Sequence, residues 1–576
     1  MNGILLTHLP RRWRNRDKIA CLVVLGLALG QTSRGEGPTE SRPLHERIDA
    51  LVSRQLESRK LIPAKLSSDA EFVRRVYLDL SGVIPTAQEA RTFLDDPAPD
   101  KRARLIDTLL TAPGYALHMA RVFDVMLLER RVPAGGTAVD VPLPAWRDYL
   151  SEAFAENRPW DVMTRELLGG DGSDSDRGAA VRFYLTRDVN AHQLTRDVGR
   201  LFLGIDLQCA QCHDDPRFKD YRQEDYFGLY AFLERSKLFP VKPKGALLGE
   251  LAVGTTKFTS VFTAKSGETY PRLPGGALLA DPQLEKDREY RVKPGPKERG
   301  IPVYSRRVAL SEHLPRKETP GFTRNLANRL WALMLGRGII QPLDLSHAGN
   351  PPSHPELLAE LEAWLAAHHH DIRGLLREIT LSRTYQRSSE LPDGSPPPPD
   401  AFAVAPLRGL TAEQFRWSLL QATGRIEAHL ATLDAQPKKA SAAETPAWKQ
   451  LADRLEPLER PSAALLAAFS GLPGQPEEGF QPTVDQALHL LNSEKLLPLL
   501  KADPGTLLHR LSTMEQPEPL IGELYFSVLS RPPDAEEMSE ASQQIAAAAG
   551  SPEERNVVVK ALSWGLLLSA EFRLNH

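Results

Sequence analysis

The chain has 576 residues, 41% hydrophobic and 25% charged, a composition that fits about two to four folded units and excludes wholesale disorder, collagen and a polytopic membrane protein. Lys and Arg number 71 against 74 Asp and Glu, so no overall basic field marks the chain for nucleic acid. Three cysteines are too few for a disulfide scaffold.

Residues 1–36 read as an export leader. Arg11, Arg12, Arg14, Arg16 and Lys18 form a basic start, and Ile19 to Gly30 is an apolar run too short to span a bilayer comfortably. Small residues at Ala28 and Gly30 put the expected cleavage near Gly30–Gln31, so residues 1–30 are expected to be a signal peptide; an uncleaved anchor is the alternative. Cys21 lies inside the apolar run, which argues against a lipoprotein, and the polar residues after Arg11-Arg12 do not support twin-arginine export. Cleavage removes five basic and one acidic residue, leaving 66 basic and 73 acidic, a net charge of −7. An acidic exported protein is a poor partner for nucleic acid or an anionic membrane. No later apolar run reaches the roughly 18 residues a membrane-spanning helix needs. The expectation is a protein exported to the periplasm or beyond, with no integral membrane segment once the leader is gone.

From Leu44 to Arg235 apolar residues recur at three- and four-residue spacings. Residues 48–56, 72–80, 116–129 and 146–156 read as amphipathic helices. Thr86 to Glu89 (TAQE) reads as a capping box, in which Thr86 accepts an unpaired helix N–H and Glu89 reaches back. The period changes between Phe239 and Ser305. KFTSVFTAKSGETY (257–270) alternates β-branched and polar residues and is expected to be a β-hairpin turning at Ser266-Gly267, within a small β-island or exposed insertion. Helices resume over 322–335, 354–370 and 372–385. Pro-rich breaks follow at 391–400, 434–446 and 471–482, and the last helices are expected over 484–499, 518–530, 534–548 and 553–570. The fold class is therefore mainly α: a multi-helix two-domain protein over 44–238 and 306–576, with a β-hairpin insertion at 239–305 between them.

Cys209-Ala210-Gln211-Cys212-His213 is a C-x-x-C-H motif, the attachment signature of c-type haem. Two thiols three positions apart can each form a thioether with a haem vinyl group, and His213 can meet the iron as proximal ligand. Beyond the leader, Cys209 and Cys212 are the only cysteines. A Cys209–Cys212 disulfide is a second reading, since an exported pair oxidises readily. A thiol-redox site is a third, without the strand–helix pattern it normally carries. Zinc lacks a second spaced ligand pair, because His347, His354 and His368–His370 do not supply one. The apolar stretch 197–208 leads up to Cys209. Phe218, Tyr221, Tyr226, Phe227, Tyr230 and Phe232 follow, enough aromatic surface for a porphyrin face, although core packing explains most of them equally well. His192, His118, Met119 and Met126 are available as a second axial ligand, and the sequence assigns none of them.

The stretch GRLFLGIDLQCAQCHDDPRFKDYRQEDYFGLYAFL (199–233) closely resembles the cytochrome-like signature of the planctomycete PSCyt2 family, also called DUF1549. Residues 72–94, 115–130 and 146–168 are similar to the same domain. Downstream, 325–389, 407–424, 486–496, 523–537 and 566–576 resemble the companion PSD1 domain, DUF1553. The resemblance implies an exported protein named for a haem-binding motif and without an established reaction, with Cys209, Cys212 and His213 as the haem c site. Many relatives read C-H-D-H-P or C-H-N-H-P here, whereas this chain has Asp215 in place of the second histidine.

Other polar residues invite simpler readings. Ser353 is expected to cap a helix starting at His354, with Pro355 and Glu356 in its first turn. His368–His370 sit at a helix C-terminus, where the dipole favours positive charge. On the helix bearing Asn325 and Asn328, Leu330 and Trp331 are expected to pack while Arg329 pairs at the surface. No P-loop, dinucleotide or nucleophile-elbow motif occurs. Two functions lead: an exported c-type cytochrome-like protein with one covalent haem, passing electrons to an unknown redox partner or acting on an unknown substrate; or a haem-free exported interaction protein with a Cys209–Cys212 disulfide. A third, an enzyme acting on an extracellular polymer with haem as an accessory, has no catalytic constellation behind it.

Overall fold

Apolar residues spaced for one helix face bury that face, and several helices start where a side chain can accept an N–H left unpaired by the first turn. Ser68 accepts from Glu71, Asn190 from Gln193 and Asp371 from Gly374. The expected capping box is present: Thr86 accepts from the Glu89 backbone, and the Glu89 carboxylate returns to Thr86, opening the helix Ala87–Asp95. The computed structural model describes residues 42–133, 141–215, 218–241, 245–392, 396–436, 445–476, 483–484, 486, 488, 497–548 and 550–576. The expected leader, and most of the helix expected over 484–499, lie outside these residues.

Among the described residues there are 23 α-helices and only two-stranded antiparallel sheets, so the fold is mainly α. None of these helices is long and apolar enough to cross a membrane. Residues Pro43–His576 pack as one unit. Its main core runs from Leu44 to Leu455 and includes Trp146, Phe183 and Trp331. Within it Trp160 stacks on Phe202 at 5.7 Å and meets Phe123 edge-on at 5.4 Å. Each such large side chain contributes about 1.5–3 kcal/mol by leaving water. A second core gathers the C-terminal helices around Leu520, Leu524 and Phe572, and it takes in Leu78 and Ile84 from the N-terminal part. The last residues return to it, because Leu574–Asn575 pairs antiparallel with Arg408–Gly409.

The region between the helical parts holds three strand pairs: Ser236–Pro240 with Ala246–Glu250, Thr256–Thr259 with Ser266–Thr269, and Tyr290–Val292 with Ile301–Pro302. The hairpin expected over 257–270 is there, but Ser266-Gly267 is not its turn. Both residues lie in the second strand, opposite Thr259 and Phe258. Gly267 suits that place because a Cβ there would sit 2.6 Å from the Phe258 ring, which lies across it. The region is also stitched to the helices. Arg299 pairs with Asp171 at 2.6 Å, and the Glu250 carboxylate accepts the Arg306 N–H that opens the helix Arg306–His313. Ser353 departs from expectation as well. Its N–H and hydroxyl both donate to the Ile339 carbonyl, and His354 stands at the N-cap of Pro355–Ala367.

Candidate functional site

The helix Ala191–Leu203 delivers the chain to the motif. It ends at Gly204, and the carboxylate of Asp206 then accepts the Gln208 N–H at 2.9 Å, turning the backbone into the motif. Cys209–Gln211 is a single 3₁₀ turn, with the Cys212 N–H donating to the Cys209 carbonyl at 3.2 Å. Residues three apart lie one above the other on such a turn. Ala210 faces inward and is buried, while Cys209 and Cys212 are exposed and unlinked.

His213 follows, half-buried. Its Nδ1 lies 2.7 Å from the Asp214 carbonyl oxygen, which can only accept, so Nδ1 carries a proton and in the neutral ring the lone pair is on Nε2. Among the described residues Nε2 has no hydrogen-bond partner. The Asp214 carboxylate in turn accepts the Gln223 N–H at 2.8 Å and so anchors the first turn of the helix Gln223–Leu233.

The thiols and imidazole border a cavity of about 310 Å³ lined also by Asp206, Gln208, Asp215, Phe218, Tyr221 and Leu345. Its far wall comes from a distant segment. Leu345 forms an antiparallel bridge with Ile205, Ser346 N–H donates to the Gly204 carbonyl at 3.0 Å, and Tyr221 Oη donates to the Ser346 carbonyl at 3.3 Å. Burial raises the Tyr221 phenol above its ordinary pKa, so it stays a neutral donor.

A buried ionic network fixes this wall to the delivering helix. Asp197 accepts from Arg187 at 2.7 Å, Arg131 at 2.6 Å and Arg200 at 3.0 Å. Burial opposes ionisation of Asp197, but the three guanidinium groups outweigh it and hold its carboxyl below the usual range. Arg200 also reaches Asp344, next to Leu345, and Asp344 pairs with Arg329. Arg329 is therefore not the surface pair expected from the sequence: burial lowers its pKa, and it donates to the Arg200 carbonyl at 2.9 Å. Trp331 and Leu330 do pack in the core. Asn325 donates to Leu201 O at 2.7 Å, and Asn328 exchanges two hydrogen bonds with Ile340, so both amides hold backbone.

Asp215 is buried and closes a loop. Its N–H donates to the Tyr221 carbonyl at 2.9 Å, and its carboxylate accepts the Phe218 N–H at 3.2 Å. Of the aromatics noted in the sequence, Phe218 and Tyr221 line the cavity; Tyr226, Phe227 and Phe232 are core. The four residues weighed as a second axial ligand do not line it. His118 is buried beneath Gly82, Met119 is core, Met126 packs half-buried against that core, and His192 bonds the Tyr226 hydroxyl at 2.8 Å. His368 stacks on Trp364 and His370 bonds Thr323, so these histidines stay apart; no metal-binding cluster of three occurs among the described residues.

Two residues at or beside the site escaped the sequence reading: Leu345 forms the far wall, and Phe262 lies on the His213 ring at 4.4 Å. His347, weighed in the sequence only as a zinc ligand, stacks behind Phe218 at 3.8 Å. The Asx pattern Asp206-x-Gln208 was a local signal for the turn; for Leu345 and Phe262 no local signal exists.

Residues 47–237 match the family model PSCyt2, described as a protein of unknown function (DUF1549), and residues 306–545 match PSD1, a protein of unknown function (DUF1553). No curated protein and no solved structure matches the chain.

Proposed function

The chain belongs to the PSCyt2–PSD1 family, and from that premise we propose that it is an exported c-type cytochrome-like protein with one covalent haem, serving electron transfer or a haem-dependent redox reaction. The observation that carries this reading is the donor set at the motif: two exposed thiols on one turn beside an imidazole whose Nδ1–H is committed to Asp214 O.

These residues fit the group. Each thiol would add across a vinyl double bond, its sulfur bonding one carbon and its proton passing to the other, with nothing released. His213 would bind iron through Nε2, while the hydrogen bond from Nδ1 to Asp214 O orients the ring and raises its basicity. Phe218, Tyr221 and Leu345 offer apolar contact and keep water from that side. The cavity is at the small end of ligand pockets, so part of a macrocycle seated there would remain in solvent. When bound, haem supplies one-electron redox chemistry, with a potential set by its ligands and exposure.

A second reading, a haem-free interaction protein with a Cys209–Cys212 disulfide, is favoured by the exposure of both thiols. The test is an absorption spectrum and an intact mass of protein made with its own leader in a host that matures c-type cytochromes. A haem spectrum that survives denaturation, with the mass raised by one haem, is expected. A colourless protein lighter by two hydrogens would overturn the cytochrome reading in favour of the disulfide.

A further inference from the structure

The hairpin Thr256–Thr269 reaches the motif from the region between the helical parts. Its root is fixed, because Phe258 stacks on Phe227 at 4.7 Å with the rings nearly parallel. Its tip closes on itself through Ser260 N–H to Lys265 O and Ala264 N–H to Ser260 O, each 2.9 Å. Two ties join it to the motif. Val261 N–H donates to the Cys212 carbonyl at 3.1 Å, and the Gln223 side-chain amide bridges the Gln211 carbonyl at 3.3 Å and the Thr259 carbonyl at 3.4 Å.

These ties bring Phe262 over His213, with ring centroids 4.4 Å apart and planes inclined at 39°. With this contact in place Phe262 is still 75% exposed, and its neighbour Val261 is 66% exposed. An apolar ring held mainly in water adds little to folding. Its one ring contact among the described residues is with His213.

We propose that Phe262 is a positioning residue for His213: its ring and the Asp214 carbonyl together fix the imidazole plane, and it shields one face of that ring from water. The role rests on the haem reading for its consequence, since water kept from an iron ligand shifts the reduction potential. The contact itself exists without haem.

The full mature chain, made without haem and with ¹³C-labelled histidine, tests the contact. The His213 signal, identified by its loss in His213→Ala, should lie upfield through the ring current of Phe262. It should move back downfield in Phe262→Ala and stay upfield in Phe262→Tyr. An unmoved signal in Phe262→Ala overturns the proposal. In the haem-loaded protein, Phe262→Ala should lower the reduction potential as water reaches the ligand, and Phe262→Tyr should restore it; an unchanged potential in Phe262→Ala also overturns it. If the wild-type chain takes up no haem, the cytochrome reading fails separately, and the histidine signal still decides whether Phe262 holds His213. At an exposed position these substitutions leave the fold intact.

Discussion

One terminal guanidinium nitrogen of Arg408 lies 2.8 Å from both carboxylate oxygens of Asp79. Asp79 also accepts from the Tyr385 hydroxyl at 2.8 Å and from the Asn575 side-chain amide at 2.7 Å. One buried carboxylate therefore joins four segments that are far apart in sequence, and it anchors the end of the chain beside the second core.

Asp79→Ala leaves a guanidinium, a phenol and an amide without their acceptor, and should cost about 3–5 kcal/mol. Urea unfolding of the protein reads this directly. Removing residues 574–576 should cost less in the Asp79→Ala background than in the wild type, because the two changes share the Asn575 contact. Strictly additive losses would show that Asp79 does not hold the terminus.

Gly82 ends the helix Asp69–Ser81 with φ +71°, and its N–H donates to both Tyr77 O and Leu78 O. A Cβ there would lie 2.8 Å from Cγ of the buried His118 ring. Gly82→Ala combines a left-handed backbone, costing about 1–2 kcal/mol, with overpacking, about 1–3 kcal/mol. A matching fall in unfolding free energy is expected; a loss of only about 1–2 kcal/mol would show that the His118 ring moves aside freely, and a neutral result would contradict both costs.

His118, His354 and His576 are each pushed down to about 4, chiefly by burial; Arg121 adds to this at His118 and Arg74 at His576. In the unfolded chain a histidine titrates near 6.5. Between these values the unfolded state binds more protons, so the stability these three contribute is complete above about pH 6.5 and declines as pH falls toward 4. His354 Nε2 is buried without a hydrogen-bond partner among the described residues. His354→Leu should therefore flatten the fall in urea midpoint between pH 7 and pH 4.5. An equally steep fall in the variant would remove His354 from the account.

On the proposed cytochrome reading, the motif residues should separate by role. His213→Ala keeps both thiols, so a haem-sized mass increase is expected to persist while the spectrum changes with the lost ligand. Cys209→Ser and Cys212→Ser each leave one thioether, and an unreacted vinyl group conjugated with the ring should move the absorption bands to longer wavelength. Intact mass and reduced-state spectra of the three variants check this. Identical spectra for His213→Ala and wild type would remove His213 as a ligand.

Several helices were legible from an apolar face: 48–56, 72–80 and 322–335 fall inside Leu44–Ser58, Asp69–Ser81 and Phe322–Leu335, while Lys101–Thr111 and Ala447–Glu459 went unread. The Thr86–Glu89 box was legible because both partners lie within one turn. Misreadings came where a distant group competes for a local one. Ser353 turns from the helix it precedes to the Ile339 carbonyl, and Arg329 is drawn inward by Asp344. Gly267, a turn residue by composition, lies within a strand because Phe258 needs the space above it.

The sequence by itself determined the mainly α class and the motif Cys209, Cys212 and His213, since periodicity and a five-residue spacing are local properties of the chain. Tertiary structure alone decided what surrounds the motif: Leu345 as its far wall, the Asp197–Arg200–Asp344 network behind that wall, Phe262 on the imidazole, and Asp215 as a loop closure. Each of these depends on which groups folding brings within hydrogen-bond or van der Waals reach, and apolar burial that draws distant segments together leaves no periodic trace in the sequence.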